Sequence, residues 1–403
     1  MSKTLLLLGG ARYALPVIEA AHDLGVHVVT CDYLPDNFAH AYSDGYVNAS
    51  IIENEAILKV AETVHADGIM AFAADPGVLA AAFAAEKLGL PFQASYEVAS
   101  ILQDKELFRA FLQEHDFNCP RSCILHSVED ADERSEMIEY PVIVKPVDSA
   151  GSKGCTRVDN AVDLKRATEY ALQFSRDRRC IVEQFLEKRG DSSGADAFIV
   201  DGKFECVAFT SQLFDESAPN PYAPIAYTVP ASMPAAYQTE LKSELQRLAD
   251  LLELGNGIYN IETRVAEDGK PYIMEVSPRG GGNRLSELLK YATGGKVDLV
   301  RASVEAALGM VIHNVAEPVY EGFWYQQMLH SERVGTFEGI EYAHGFRSAH
   351  VVEEQVWIEK GTSIDPLNGA NNAFGSIILK FDTEEELKAF LRNPSASMRI
   401  LVR

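Results

Sequence analysis

The chain is short of cations. Across 403 residues, 36 lysines and arginines stand against 59 aspartates and glutamates, a formal charge of −23. A surface with that field repels phosphate backbones and anionic headgroups, so neither nucleic acid nor a membrane surface is an expected partner. Long apolar runs are missing as well. No stretch approaches the roughly 18 residues that a membrane span needs. Met1-Ser2-Lys3, followed by a short apolar run ending at Gly9-Gly10, lacks a signal-peptide cleavage pattern, which makes the cytoplasm the expected compartment. Paired cysteines are absent too: Cys119 and Cys123 lie four apart, but no second pair or histidine cluster accompanies them. Reduced, buried thiols are therefore expected rather than zinc or disulfides. Repeats and low-complexity segments are lacking. What remains is a globular composition, 47% hydrophobic and 24% charged. At about 100 to 200 residues per domain its length predicts two or three domains. Any anionic ligand would have to be held by local cations against the global field.

The first hundred residues alternate apolar runs with helical patterns: strands at 5–8, 26–30 and 68–72, helices at 13–24 and 77–88. This βαβ series predicts an open parallel sheet whose ligand edge lies at the strand carboxyl ends. Gly9-Gly10 and Asp32 suggest a dinucleotide site, but Ala11-Arg12-Tyr13-Ala14 follows where G-x-G-x-x-G needs two more glycines. The stretch 95–140 reads as mostly helical, with Asp104-Lys105 opening one helix. Strands around a glycine loop follow in 141–186, then antiparallel strands over 194–210. A proline-rich, aromatic interruption spans 214–234, and a helix near 235–253 precedes a hairpin over 257–277. Helices resume at 283–308, and 312–403 reads as mixed α/β.

The hairpin is the most informative segment. Asp268-Gly269 is a strong two-residue turn signal. Counting down the ladder from it pairs Glu267 with Lys270 and Val265 with Tyr272, and places Glu262 directly opposite Glu275. Asn260, Arg264 and Ser277 share the carboxylate face; Tyr259, Ile261, Val265, Tyr272, Met274 and Val276 form the apolar face. Opposed like charges destabilise a strand pair unless a cation lies between them. Either water screens the pair or the two carboxylates share a divalent metal, magnesium first, completed by phosphate oxygens and water.

Three further segments carry chemistry. Lys145 ends an apolar strand, where its ammonium is costly without an anion, and Gly151-Ser-Lys-Gly154 just beyond can fold backbone N–H groups over phosphates. Cys180-Ile-Val-Glu-Gln-Phe-Leu-Glu187 leaves a strand with backbone groups suited to a purine edge. Glu275-Val-Ser-Pro-Arg-Gly-Gly-Gly-Asn-Arg284 sets Arg279 and Arg284 beside the presumed metal, where a guanidinium can clamp a carboxylate or acyl phosphate.

In this order and spacing, the four segments resemble the ATP-grasp superfamily of carboxylate-amine ligases, which includes amino-acid ligases and enzymes like carbamoyl-phosphate synthase and phosphoribosylglycinamide synthetase. The resemblance implies an α/β and α+β fold: a pre-ATP-grasp parallel-sheet domain over 1–100, ATP-grasp lobes over 101–311 with a flexible lid at about 120–186, and a small mixed region over 312–403. It implies ATP and Mg2+ as cofactors, with Mn2+ as a substitute. By motif match, Lys105 and Lys145 look like the nucleotide-phosphate lysines, and 148–155, with Ser149, Gly151, Ser152, Lys153 and Gly154, like the phosphate-covering loop. Glu183, Gln184, Phe185 and Leu186 are similar to the adenine-reading hinge. Asp191 and Glu187 are candidates for the ribose carboxylate, which has no clear counterpart. Glu262 and Glu275 look like the metal ligands. Ser277, where many relatives carry asparagine, would be a weaker one. Arg279, with Lys145, would be catalytic, stabilising the acyl phosphate, and Arg284 would bind a second carboxylate. Gln212, Asp215, Tyr222 and Tyr227 would line the acceptor pocket. Trp324, His330, Trp357 and the turn 371–375 resemble the tail of amino-acid ligases and carboxylases.

The implied activity is an ATP-dependent ligase joining small-molecule carboxylate and amine substrates, amino-acid or peptide-type, with release of ADP. The alternatives are a phosphoribosylglycinamide-synthetase-like or carboxylase-like enzyme, or an ATP-binding module without turnover. A homodimer is the assembly to test.

Overall fold

The computed structural model describes residues 2–149, 151–215, 218–367 and 372–403. The fold is mixed α/β. Its first part is a parallel sheet in the order Gly45–Asn48, His27–Asp32, Thr4–Leu8, Gly68–Ala71. The central Thr4–Leu8 strand carries an unbroken apolar run because both its faces are covered: Leu5 and Leu7 enter one hydrophobic cluster, Leu6 and Leu8 another. Helix Val78–Leu88 ends where Gly89 takes the left-handed conformation, φ 65°. Asp32 is held to structural duty. Its carboxylate accepts from the N–H groups of Gly10 and Leu34 and from Asn37, and a Cβ at Gly10 would lie 2.3 Å from the His40 ring. The space a dinucleotide would need beside Gly10 is filled.

A small antiparallel sheet follows, in the order Ser122–Leu125, Cys180–Gln184, Val142–Pro146, Thr156–Val158. It has its own apolar cluster, packed beneath helix Ala161–Leu172. The strand Ser122–Leu125 falls in the stretch expected to be helical, because four residues between helices are too few to show a period.

The largest sheet has eight antiparallel strands, in the order Pro271–Ser277, Gly257–Val265, Ser192–Val200, Lys203–Phe214, Pro224–Val229, Phe323–Leu329, Gly375–Phe381, Val351–Val356. Pro224–Val229 lies inside the expected interruption; its proline starts the strand, where no ladder donor is lost. Three strands from beyond residue 312 complete this sheet.

The hairpin departs from the count in an instructive way. Its loop has three residues, with the Ala266 N–H bonded to the Lys270 carbonyl, so Val265 faces Pro271 and Arg264 faces Tyr272. A bulge between Glu262 and Thr263 then absorbs one residue and restores Glu262 opposite Glu275. Beyond the bulge the faces exchange. Ile273 enters the core, whereas Tyr272 and Met274 join Leu186 in a small separate cluster, not the core face expected for them.

Candidate functional site

The parts meet around one cavity of about 910 Å³. Its walls come from the carboxyl-end loops of the parallel sheet (Ala11, Tyr13, Ala73, Asp75), from the small sheet and its loop, and from the hairpin. The ligand edge expected from the βαβ pattern is thus where the cavity opens.

Of the residues singled out in the sequence, Lys105, Lys145, Ser149, Gly151, Ser152, Lys153, Gln184, Phe185, Leu186, Glu262, Glu275 and Arg279 all line it. Glu262 and Glu275 stand opposite each other. Glu262 opens onto the cavity yet sits deep in the fold, so burial, reinforced by Glu275, raises its pKa; Lys145, Arg264 and Lys105 oppose that shift. Hard oxygen donors with repelling charge suit magnesium. Among the described residues no three His, Cys, Asp or Glu side chains gather to hold a metal unaided. Two carboxylates would leave an ion's remaining positions to a ligand and water.

Lys105 is the first residue of helix Lys105–Glu114, fixed by Asp104, whose carboxylate accepts from the N–H groups of Glu106 and Leu107. Its ammonium reaches the Ser149 carbonyl at 3.0 Å. Burial alone would lower its pKa, but Glu275 above all raises it and keeps the charge. Lys145 projects from strand Val142–Pro146 and meets Glu183 at 2.5 Å.

The Glu183 side chain is engaged inside the protein. Fully buried, it takes Lys145 on one oxygen and the Arg109 guanidinium, at 2.8 Å, on the other. Burial works to raise its pKa, but Arg109 and Lys145 hold it at about 2. Its role in this structure is to anchor the lysine. Arg109, itself buried and donating to the Met274 carbonyl, escaped the sequence reading because an arginine inside an amphipathic helix looks like surface.

In the neighbouring exit segment, Gln184 N–H is bound to the Arg121 carbonyl and Phe185 N–H to the Pro141 carbonyl. The Leu186 carbonyl accepts from Arg264 at 3.0 Å. Leu186 and Met274 pack together beside this edge, an apolar surface of the kind a flat heterocycle covers.

The glycine loop is latched across the cavity. Ser152 donates to the Tyr222 carbonyl at 3.0 Å, Asn220 donates to the Ser152 carbonyl, and the Arg157 N–H donates to the Tyr222 hydroxyl. Gly154 has φ 73°, and a Cβ there would lie 3.0 Å from the Phe174 ring. Ala150, within this loop, lies outside the described residues.

The remaining residues singled out in the sequence have partners within the protein or lie away from the cavity. Ser277 does not line the cavity; its hydroxyl donates to Asp75 and accepts from Gln103, both at 3.1 Å. Asp191 does not line the cavity; it accepts from Ser232 at 2.7 Å. Glu187 does line it, paired with Arg157 at 2.8 Å. Arg284 is neutralised by Glu287 and Glu353 and donates to Ser376, so it offers no second carboxylate site. Of the tail residues, Trp324 is buried in the core and His330 is bonded to the Met328 carbonyl. Trp357 packs edge-on against Tyr13, and the turn 371–375 begins outside the described residues at Asn371.

Two acidic groups that no motif signalled organise the site. Asp75 takes Arg279 Nε and Nη2 at 2.7 and 2.9 Å. Asp196, fully buried, accepts from the Gly281 N–H, Asn260 and Ser286 and so fixes the glycine run behind Arg279. Burial raises its pKa. Nothing in the local pattern marks either, since their partners lie 204 and 85 residues away.

Of the residues expected at an acceptor pocket, Gln212, Tyr222 and Tyr227 line the cavity and Asp215 does not; Tyr227 is bonded to Asn283. Among the described residues no helix is long and apolar enough to cross a membrane.

Residues 138–287 match the family model of the ATP-grasp domain. The carbamoyl phosphate synthase large chain of Thermotoga neapolitana is 28% identical over 232 residues, 57% of this chain and 20% of that one. The chain thus spans about a fifth of the length of that curated relative. Among solved structures, an L-amino acid ligase from Bacillus licheniformis superposes with a TM-score of 0.82 at 22% identity, covering 100% of this chain and 99% of that one. A phosphoribosylglycinamide synthetase from Anaerococcus prevotii superposes with a TM-score of 0.76 at 20% identity, covering 100% of both chains. At these identities the structural likeness speaks for the fold.

Proposed function

The chain carries an ATP-grasp domain, and from that premise we propose that it is an ADP-forming carboxylate-amine ligase acting on amino-acid or peptide-type substrates. The observation that supports this reading most directly is the opposition of Glu262 and Glu275 in a cavity that also holds Lys105, Lys145 and Arg279. A magnesium ion between the carboxylates and the lysines around it would offset the charge of a triphosphate, which resolves how so acidic a chain could bind one. The distant acidic surface is largely screened beyond the Debye length of about 8 Å at physiological salt.

In the proposed reaction a substrate carboxylate oxygen attacks the γ-phosphorus and ADP leaves. The amine nitrogen then attacks the acyl carbon, loses a proton, and phosphate departs. Bound magnesium supplies charge neutralisation at the phosphates. Lys105 and Lys145 would hold phosphate oxygens, with Glu183 and Arg109 fixing the direction of Lys145. Arg279 would stabilise the charge developing on the acyl phosphate. Leu186 and Met274 would cover the adenine. Ser149, Gly151, Ser152, Lys153 and Gly154 would close over the phosphates and exclude the water that hydrolyses the intermediate.

The test is ADP release with magnesium and ATP across a matrix of carboxylates and amines. Release that depends on both substrates and vanishes in Glu275→Gln is the expected result. Release of AMP would overturn the acyl-phosphate route, and tight ATP binding without turnover would favour a binding module.

A further inference from the structure

The nucleotide end does not account for the whole cavity. From Glu262 the large sheet serves as a ruler. Glu262 pairs with Gly194; Ser192, two residues away on the same strand, pairs with Gln212; Gln212 pairs with Tyr227; and Tyr227 pairs with Gln326, two residues before Met328. Residues two apart on a strand share a face. Glu262, Gln212, Tyr227 and Met328 therefore stand on one face of the sheet, and all four line the cavity. At about 4.8 Å per strand, Met328 lies four strands, or roughly 19 Å, from the strand of Glu262.

Chemistry changes along that line. Near Glu262 the walls are charged. Gln212 and the Tyr227–Asn283 pair make a neutral polar middle. The far end is closed by Ile225, Leu285, Met328 and Leu367, with Tyr13 contributed by the first sheet. The Tyr13 hydroxyl is buried and has no hydrogen-bond partner among the described residues. Of the nearby cations, Lys188 also lines the cavity, over the Phe214 ring at 5.6 Å from its centre, and two others are engaged elsewhere. Arg12 stacks on Phe38, 3.3 Å from its ring centre, and Arg284 is held by Glu287 and Glu353.

We propose that this leg receives the apolar side chain of the acid that is activated, so that the substrate is an α-amino acid with an uncharged aliphatic or thioether side chain. Its carboxylate faces Arg279, its amino group lies over Gln212 and Tyr227, and its side chain reaches Ile225 and Met328. A phosphorylated sugar amine would bring a dianion against the apolar side chains of Ile225, Leu285, Met328 and Leu367, at a large desolvation cost. This inference rests on the ligase reading and names the substrate class of the same site.

Calorimetric binding in the presence of MgADP, where no turnover occurs, tests it. L-leucine and L-methionine are compared with L-glutamate, L-lysine and ribose 5-phosphate. The first two are expected to bind at least 10-fold more tightly than the others. Met328→Glu and Ile225→Lys should each remove that preference; Ile225 is half-buried and the more tolerant of charge, and MgADP binding reports whether each variant is folded. Equal or tighter binding of ribose 5-phosphate or of a charged amino acid overturns the proposal. So does absence of binding by all five, or a preference unchanged in both folded variants. Binding of L-leucine without ADP release when ATP and amines are supplied would instead remove the ligase reading and leave the pocket assignment standing.

Discussion

Arg279 grips Asp75 with Nε and Nη2 at once, tying the glycine run after the hairpin to a loop of the parallel sheet some 200 residues earlier. Burial would lower the Arg279 pKa, and Asp75 more than restores it. Breaking such a pair leaves a buried charge alone, at a cost of about 3 to 5 kcal/mol. Asp75→Asn should therefore lower unfolding stability by about that range in urea titrations. Turnover should fall with it, because a released guanidinium is no longer aimed. Arg279→Lys, which keeps charge but loses the two-pronged contact, should recover stability only in part.

Glu262→Gln should have opposite effects with and without metal. In the metal-free protein it removes one of two facing charges, and the melting temperature should rise by the equivalent of about 0.2 to 1 kcal/mol; Glu275→Gln should not show that rise, because Glu275 also compensates the buried Lys105. With magnesium and ATP, each variant should lose on the order of 100-fold in turnover, since the ion contributes several kcal/mol to charge stabilisation. Melting curves recorded with and without magnesium, beside steady-state ADP release, read both signs. Equal metal dependence of ATP binding in the wild type, both single variants and the double variant would show that the carboxylates share no ion.

Acid stability should carry the signature of Glu183. Its pKa, held down to about 2 from an ordinary 4.5, stabilises the fold fully above 4.5 and loses that contribution as pH falls toward 2. Glu262 runs the other way. Its raised pKa means that ionisation costs stability at neutral pH, a cost relieved as pH falls toward 4.5. Denaturation midpoints from pH 7 to pH 3 should show the wild type losing stability below about 4.5, and Glu183→Gln, weaker at pH 7, losing less over the same interval. In Glu262→Gln the component gained between neutral pH and 4.5 should be missing.

The latch over the cavity predicts uncoupling. Ser152→Ala removes the bond to the Tyr222 carbonyl, and ADP release in the absence of amine should rise several-fold relative to coupled product. Gly154→Ala combines an unfavourable φ of 73° with a Cβ 3.0 Å from Phe174. It should cost roughly 1 to 2 kcal/mol and weaken ATP binding, measured by denaturation and by nucleotide titration.

What could be read from the sequence was what local chemistry dictates. Lys145 and the glycine loop were legible because a charge at a strand end and clustered glycines are unusual in themselves, whereas Lys105, the first residue of a helix, came from the family resemblance alone. The Glu262–Glu275 opposition was legible through counting, although two one-residue departures, the longer loop and the bulge, happen to cancel at that pair. Tyr272 and Met274 were misplaced because nothing in the sequence announces a bulge. Asp75, Asp196 and Arg109 were invisible for another reason: each acts through a partner far along the chain, and burial, which makes them consequential, is a property of the assembled sheets. Ser277 and Asp191 were plausible by position, but Asp75 and Ser232 had already claimed their polar atoms.

The eight-stranded sheet also bears on how the chain can be cut. Its outer strands are guarded, one opening with Pro271 and carrying Glu275, the other carrying Glu353 and Glu354. Such proline and charge discourage edge-to-edge pairing. Truncation after residue 311 would strip away Phe323–Leu329 and make Pro224–Val229, Pro-Ile-Ala-Tyr-Thr-Val, the new boundary. That strand has no charge along its length and would present open backbone groups to any passing copy, so the shortened protein is expected to precipitate as β-rich aggregate.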